Sequence, residues 1–313
     1  MEAHHLLIIH RWAEEFKDYL QRLLPQLQIT ACNSAEIIPS NIEEIDIILA
    51  WKFPAELPKK AKRLKWIQSI GAGADYILSI TDLPQKIIIT RSIGDLGILM
   101  AEYVLGFCLY FTLQIQRLLK NQSGANWEPF PTNKLEGKTL ALMGLGAIGS
   151  TIAVKAKNLG MRVLGAKRTE ALVKGVDQIF IGKQWHDMFP QADFLVIALP
   201  ITSETKGMLN ADALKLLKKE CYLINISRGK IVDEQFLITM LKEKRIAGAA
   251  LDVFDEEPLP PDSPLWKMDN VVITPHIAGI SQPEGISQDF CQNYKRFIEG
   301  KPLKYQVDRL RGY

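Results

Sequence analysis

An apolar run, a glycine-rich turn and a helical pattern follow one another without a gap from Thr139 to Gly160, "TLALMGLGAIGSTIAVKAKNLG". The run "TLALMG" has the unbroken hydrophobicity of a strand buried on both faces, and "AIGSTIAVKAKNLG" reads as a helix. Between them Gly144, Gly146 and Gly149 stand in Gly-x-Gly-x-x-Gly spacing. In that setting Gly144 permits the tight turn, Gly146 lets a pyrophosphate approach the backbone, and Gly149 lets the helix pack closely on the sheet. The N–H groups of the first helical turn, around Gly146, Ala147 and Ile148, would then hold phosphates at the positive end of the helix dipole. A phosphate-loop reading of Gly144 to Thr151 fails, because Ser150 stands where the lysine that reaches the β and γ phosphates is required.

The same alternation runs through the rest of the chain. "LLIIH" followed by "RWAEEFKDYLQRLL" predicts a strand and then an amphipathic helix, and "IDIILAW" and "LKWIQSI" predict two further strands. From Lys138 onward, "TLALMG", "RVLGAK", "FLVIAL", "CYLINIS", "GAALDVF" and "VVITP" are six apolar runs, mostly separated by helical segments. Alternating strands and helices predict parallel sheets covered on both faces, and 313 residues suffice for two such domains. The segment between the two sets, "ILMAEYVLGFCLYFTLQIQRLLKNQ", predicts one long apolar helix suited to an interdomain or intersubunit position. "EGISQDFCQNYKRFIEG" predicts a C-terminal helix, and its return to the first domain would make that domain discontinuous.

Composition removes several functions. A net charge of +3, with Lys and Arg interleaved among Asp and Glu, argues against nucleic acid as a partner. Cys32, Cys108, Cys221 and Cys291 lie far apart with no C-x-x-C pair, which predicts no metal site and no disulfide framework, and fits a cytoplasmic protein. The opening residues lack the pattern of a signal peptide. The apolar stretch Leu140 to Val154 is shorter than the roughly 20 residues a spanning helix needs, so no membrane association is expected.

Ligands of open α/β sheets sit beyond the carboxyl ends of the strands. At those ends "CYLINIS" runs into Arg228, "GAALDVF" into Asp255, Glu256 and Glu257, and "VVITP" into His276. Each alone has an ordinary structural explanation: a surface ion pair, a solvated acidic loop, a cap. Converging on one crevice, they form a chemically coherent set. An arginine holds a carboxylate with two parallel hydrogen bonds, and a carboxylate beside a histidine keeps the imidazole protonated near neutrality. Beside a nicotinamide, that set suits the reduction of a 2-oxo acid.

Taken with "SIGAGADYI" and "MAEYVLGFCL", the ordered motifs "GLGAIG", "LPITSETKGMLN", "LINISRGKIVDE", "ALDVFDEEPLP" and "TPHIAG" resemble the D-isomer-specific 2-hydroxyacid dehydrogenases over nearly the whole chain. The resemblance implies two Rossmann-like domains with parallel sheets and an active site in the cleft between them. A flavodoxin-like substrate-binding domain would comprise residues 1–99 with 285–313, and a nucleotide-binding domain residues 100–284. A homodimer is also implied. The catalytic residues carry over as Arg228, Glu257 and His276. For the cofactor, the resemblance places Asp252 at the nicotinamide carboxamide, Pro200 and Thr205 near its ribose, and Leu199 and Ile226 along the same site. The backbone N–H groups of Ala72 and Gly73 would join Arg228 in holding the substrate carboxylate. Trp51, following a strand, would line the pocket and favour glyoxylate and hydroxypyruvate over bulkier 2-oxo acids. Its ordinary alternative is core packing. A lactate, formate or phosphoglycerate dehydrogenase of the same family, and a non-catalytic dinucleotide sensor of the same fold, remain as competing functions.

One position departs from the usual dinucleotide pattern. About 20 residues after the glycine turn an acid normally accepts the adenosine ribose hydroxyls. Here Ala166 is followed by Lys167, Arg168 and Thr169. Two cations and a hydroxyl form an anion site for the 2′-phosphate of NADP(H), which is expected to be preferred over NAD(H).

Overall fold

The computed structural model describes residues 4–35, 38–280 and 282–313. In chain order the elements begin with β1 (His5–Ile9), α1 (Ala13–Leu23), β2 (Gln28–Cys32), β3 (Ile47–Ala50), α2 (Leu57–Lys60), β4 (Trp66–Ser69), α3 (Asp75–Leu78) and β5 (Ile88–Arg91). A second series follows: α4 (Leu96–Thr112), α5 (Ile115–Ser123), β6 (Thr139–Met143), α6 (Ala147–Asn158), β7 (Arg162–Lys167), β8 (Gln178–Ile181) and β9 (Phe194–Ile197). It continues through α7 (Ala211–Leu214), β10 (Tyr222–Asn225), α8 (Glu234–Lys242), β11 (Gly248–Leu251) and β12 (Val271–Ile273), and the chain closes with α9 (Pro283–Ile298). The chain divides into two compact units, residues 1–96 with 279–313, and residues 97–278.

The first unit carries a parallel sheet in the order β2-β1-β3-β4-β5. Every residue of β1, β3 and β4 is buried, as expected of central strands covered on both faces. One face is covered by α1 and α9, where the Trp66 and Phe290 rings stack at 5.0 Å.

The second unit carries a parallel sheet in the order β12-β11-β10-β9-β6-β7-β8. Strand order reverses between β6 and β9, which sets the crevice for a ligand beyond the carboxyl ends of those strands. Met100, Ala101, Val104, Leu105 and Cys108 of α4 pack with Leu140, Leu142 and Ile152 in the core on one face.

Two expectations need correction. The helix predicted over residues 98–122 is a pair, α4 and α5, bent by 61°. Gln114 at the break has a left-handed φ of +54°, and the Thr112 hydroxyl donates to the Cys108 carbonyl at 2.6 Å. A hydroxyl that bonds back into the preceding turn competes with the helix ladder and bends it. No single helix among the described residues is long and apolar enough to cross a membrane; only this bent pair passes by length and composition. Strands β2, β5 and β8 were not among the predicted runs. All three lie at sheet edges, where partial exposure shortens or interrupts the apolar run.

Candidate functional site

The turn from β6 into α6 has the geometry its glycines imply. Gly144 has φ +102°, and a Cβ there would lie 2.7 Å from the Ala198 carbonyl oxygen. A Cβ on Gly149 would collide with the Gly144 carbonyl, so the helix approaches the strand end more closely than any side chain permits. Gly146 is the opposite case: it is exposed, and a Cβ there would meet nothing within 4 Å. As the residue before α6, Gly146 offers no side chain to cap the first helical turn. The N–H groups around Gly146, exposed Ala147 and half-buried Ile148 are therefore those that a helix start leaves for an anion. A pyrophosphate fits this open side of the turn.

Lys167, the last residue of β7, is half-buried, and Arg168 and Thr169 just beyond it are exposed. Arg168 Nη2 lies 3.2 Å from Glu204 Oε1, with both side chains more than half exposed. Exposed pairs of this kind are worth about 0–1 kcal/mol, so Glu204 holds the Arg168 guanidinium only weakly. Glu204 belongs to the loop that follows β9. There the Thr205 hydroxyl donates to the Pro200 carbonyl at 2.7 Å and accepts the Thr202 N–H at 2.8 Å. Thr205 thus braces the loop that presents Leu199 and Pro200, and the Ser227 hydroxyl holds the Leu199 carbonyl from the other side. Ile226 is buried in the core on the α4 side of the sheet.

Three of the predicted residues meet at the ends of β10, β11 and β12. His276 Nδ1 is 2.7 Å from Glu257 Oε2, and the other Glu257 oxygen accepts the Phe254 N–H at 3.1 Å. Burial pushes the Glu257 carboxyl up, but the His276 hydrogen bond, the Phe254 N–H and the charges of His276 and Arg228 outweigh it and hold the group below its ordinary value. Arg228 is half-buried, and its Nη1 donates to the Ser227 carbonyl at 2.8 Å.

His276 has φ +54°, a left-handed backbone for a residue with a bulky side chain. Such a conformation costs of order 1–3 kcal/mol and persists only where its surroundings hold it. Asp252 does the holding. It is 1 % exposed. Its carbonyl accepts the His276 N–H at 2.9 Å, Oδ1 accepts the Ile277 N–H at 2.8 Å, and Oδ2 accepts the Ala278 N–H at 2.9 Å. Burial pushes the Asp252 carboxyl up, and these donors work against that rise. Sequence reasoning gave Asp252 to the carboxamide alone and missed its grip on the turn.

In the first unit, the Trp51 ring lies against Gly71, where any side chain would collide with it. The next residues, Ala72 and Gly73, are half-buried. The Ser69 hydroxyl accepts the Gly71 N–H at 3.3 Å and donates to the Gly73 carbonyl at 2.8 Å, while Arg91 Nη1 donates to the Ala72 carbonyl at 3.2 Å. Trp51 and the 71–73 loop therefore stand together at the carboxyl ends of β3 and β4. Ser69 opens the motif "SIGAGADYI" but was given no role there, and Arg91, which also shapes the loop, lies in no motif that would have drawn attention to it.

The family model described as "D-isomer specific 2-hydroxyacid dehydrogenase, NAD binding domain" matches residues 105–278. A glyoxylate/hydroxypyruvate reductase A of Citrobacter koseri is 32% identical over 294 residues, covering 91% of this chain and 93% of the relative. Among solved structures, a D-isomer-specific 2-hydroxyacid dehydrogenase of Xanthobacter autotrophicus Py2 in complex with NADPH and MES superposes with a TM-score of 0.92 at 32% identity, covering 100% of both chains. An NADPH-dependent glyoxylate/hydroxypyruvate reductase of Sinorhizobium meliloti, in complex with NADP and sulfate, superposes with a TM-score of 0.90 at 28% identity, again covering 100% of both.

Proposed function

The chain belongs to the D-isomer-specific 2-hydroxyacid dehydrogenase family of NAD(P)-dependent oxidoreductases, and from that premise we propose that it reduces glyoxylate and hydroxypyruvate with NADPH. The observation that carries the proposal is the His276–Glu257 pair, 2.7 Å apart, with Arg228 at the end of the adjacent strand. A protonated imidazole held by a carboxylate is a general acid, and a guanidinium beside it binds a carboxylate.

When bound, NADPH supplies the hydride that the keto carbon receives. Arg228 holds the substrate carboxylate and draws charge from the carbonyl oxygen. His276, with Nδ1 committed to Glu257, delivers the proton from Nε2 to the developing alkoxide. Glu257 orients the ring and sets a carboxylate against its Nδ1. Gly144, Gly146 and Gly149 admit the pyrophosphate, with Ala147 and Ile148 in the same turn. Lys167, Arg168 and Thr169 take the 2′-phosphate, leaving NADH as the poorer donor. The two solved relatives that carry NADPH or NADP support this preference. In the first unit, which we assign to substrate binding, Trp51 restricts substrate size, and the Ala72 and Gly73 N–H groups are assigned to the carboxylate. Ile98, Leu99 and Leu109 of α4 and Leu118 and Leu119 of α5 expose apolar side chains, and we assign that face to contact with a second copy of the chain. Four free thiols fit a cytoplasmic location.

Glyoxylate, hydroxypyruvate, pyruvate and phosphohydroxypyruvate, each tried with NADPH and NADH, test the substrate assignment. The first two with NADPH are expected to give the highest kcat/KM. A higher value for pyruvate or phosphohydroxypyruvate would move the protein elsewhere in the family, and cofactor binding with no turnover on any of them would make it a sensor.

The pH dependence follows from the direction of the Glu257 shift. A carboxyl held below its ordinary value stays ionised at neutral pH and presents a negative charge to His276. The charged acceptor is therefore kept as pH falls, until Glu257 takes up a proton below the ordinary carboxylate range. Glu257→Gln keeps the size of the side chain but removes that charge, and kcat for reduction is expected to fall by roughly 10- to 100-fold, the worth of a hydrogen bond to a charged group, while NADPH binding is unchanged. An unchanged kcat would argue against the pair.

A further inference from the structure

We infer that Tyr103 is a positioning residue for the proton donor, acting from helix α4 through Thr274 and Asp252 on the turn that carries His276. The inference rests on the general-acid role of His276 proposed above. Its geometry lies wholly within the second unit.

The Thr274 hydroxyl donates to Asp252 Oδ1 at 2.6 Å. A hydroxyl has one hydrogen, and an ionised carboxylate only accepts. The contact between Tyr103 Oη and Thr274 Oγ1, at 2.5 Å, is therefore one in which the phenol donates and Thr274 accepts. The polarity of the whole chain follows: Tyr103 to Thr274, Thr274 to Asp252. Asp252 in turn accepts the N–H groups of Ile277 and Ala278, the two residues after His276. Burial pushes the Tyr103 phenol up, which keeps it a neutral donor throughout the working range of pH.

Each member limits the freedom of the next. With Tyr103 donating, the Thr274 oxygen is saturated on that side and its hydrogen stays aimed at Asp252. With Thr274 and two backbone N–H groups on it, the carboxylate cannot rotate away from the turn. His276 keeps a left-handed φ of +54° only while that turn is closed. Hydrogen bonds in a series strengthen one another, so a loss at Tyr103 reaches the turn although the tyrosine is not itself placed at the reacting atoms. The Phe107 ring, 4.7 Å from the Tyr103 ring, fixes the phenol's position on α4 and would serve a phenylalanine at 103 equally well.

Tyr103→Phe is the direct test, because it removes one oxygen and little volume. It is expected to lower kcat by about 3- to 10-fold, the range of a single net hydrogen bond, while NADPH binding by fluorescence titration stays unchanged. Amide exchange at Ile277 and Ala278, followed by NMR on the protein without substrate, is expected to quicken. Thr274→Val should reproduce both effects, and Thr274→Ser, which keeps the hydroxyl, should restore them. The double variant Tyr103→Phe with Thr274→Val should lose no more than either alone, since both cut the same chain.

Unchanged kcat and unchanged amide exchange in Tyr103→Phe would overturn the inference, as would full additivity in the double variant. If Tyr103→Phe fails to fold, Thr274→Val and Thr274→Ser decide the matter by the same two measurements. The amide exchange is read without turnover, so a wild-type protein inactive on every 2-oxo acid would defeat the proposed function and leave the link between Tyr103 and the turn separately decided.

Discussion

His276→Ala is expected to lower the turnover of 2-oxo acid reduction by about 10²- to 10⁴-fold, the usual contribution of a positioned general acid. The substitution removes the only group here assigned to protonate the developing alkoxide. It also leaves the Glu257 carboxylate, which His276 helps to hold below its ordinary value, without its cationic partner. The glycine turn and the cations at the end of β7, Lys167 and Arg168, are untouched, so NADPH binding is expected to survive in a fluorescence titration. Alanine at a φ of +54° is strained much as histidine is, so a melting curve should show little stability change from the backbone itself. Turnover equal to that of the wild type would remove His276 from the mechanism.

Lys167→Asp is expected to change the choice of cofactor. A hydrogen bond to a charged group is worth about 1.5–3 kcal/mol, which corresponds to roughly a 10- to 150-fold loss in kcat/KM for NADPH when one phosphate contact is removed. Aspartate also repels a 2′-phosphate and accepts from ribose hydroxyls, so kcat/KM for NADH should rise or hold while that for NADPH falls. Arg168→Ala should act in the same direction with a smaller effect, because Glu204 already competes for that guanidinium at 3.2 Å. The effect should appear in KM more than in kcat, since the phosphate lies far along the cofactor from the reacting carbon. Equal losses with both cofactors would show that Lys167 supports the fold rather than the phosphate.

Much of this was legible in the residues because parallel strands buried on both faces leave continuous apolar runs. β6, β7 and β9 to β12 each fall within such a run. Three of the four edge strands, β2, β5 and β8, do not announce themselves in this way: β2 carries "QITAC", with only its last residue buried, whereas β12 at the remaining edge keeps an apolar run. The bend at Gln114 was equally hidden, because a left-handed residue between two good helical patterns leaves no apolar signature. At the site, local motifs exposed what is local: the glycine turn, the substituted acid at Lys167, and ionisable residues at strand ends. The clasp on His276 is assembled from distant parts of the chain. Asp252 reaches residues 22 to 26 positions onward, and Tyr103 is 171 positions from Thr274. In "MAEYVLGFCL" the tyrosine is indistinguishable from an ordinary aromatic of an apolar helix, and only the fold turns its hydroxyl toward the turn.

The most direct measurement is the disappearance of reduced-nicotinamide absorbance when the protein is mixed with glyoxylate and either NADPH or NADH, with His276→Ala run alongside. Rapid oxidation of NADPH, slower oxidation of NADH, formation of glycolate in equal amount and near-silence from the variant are the results predicted. Bound NADPH with no glycolate formed, or equal rates from wild type and His276→Ala, would contradict the proposed reaction at its chemical step.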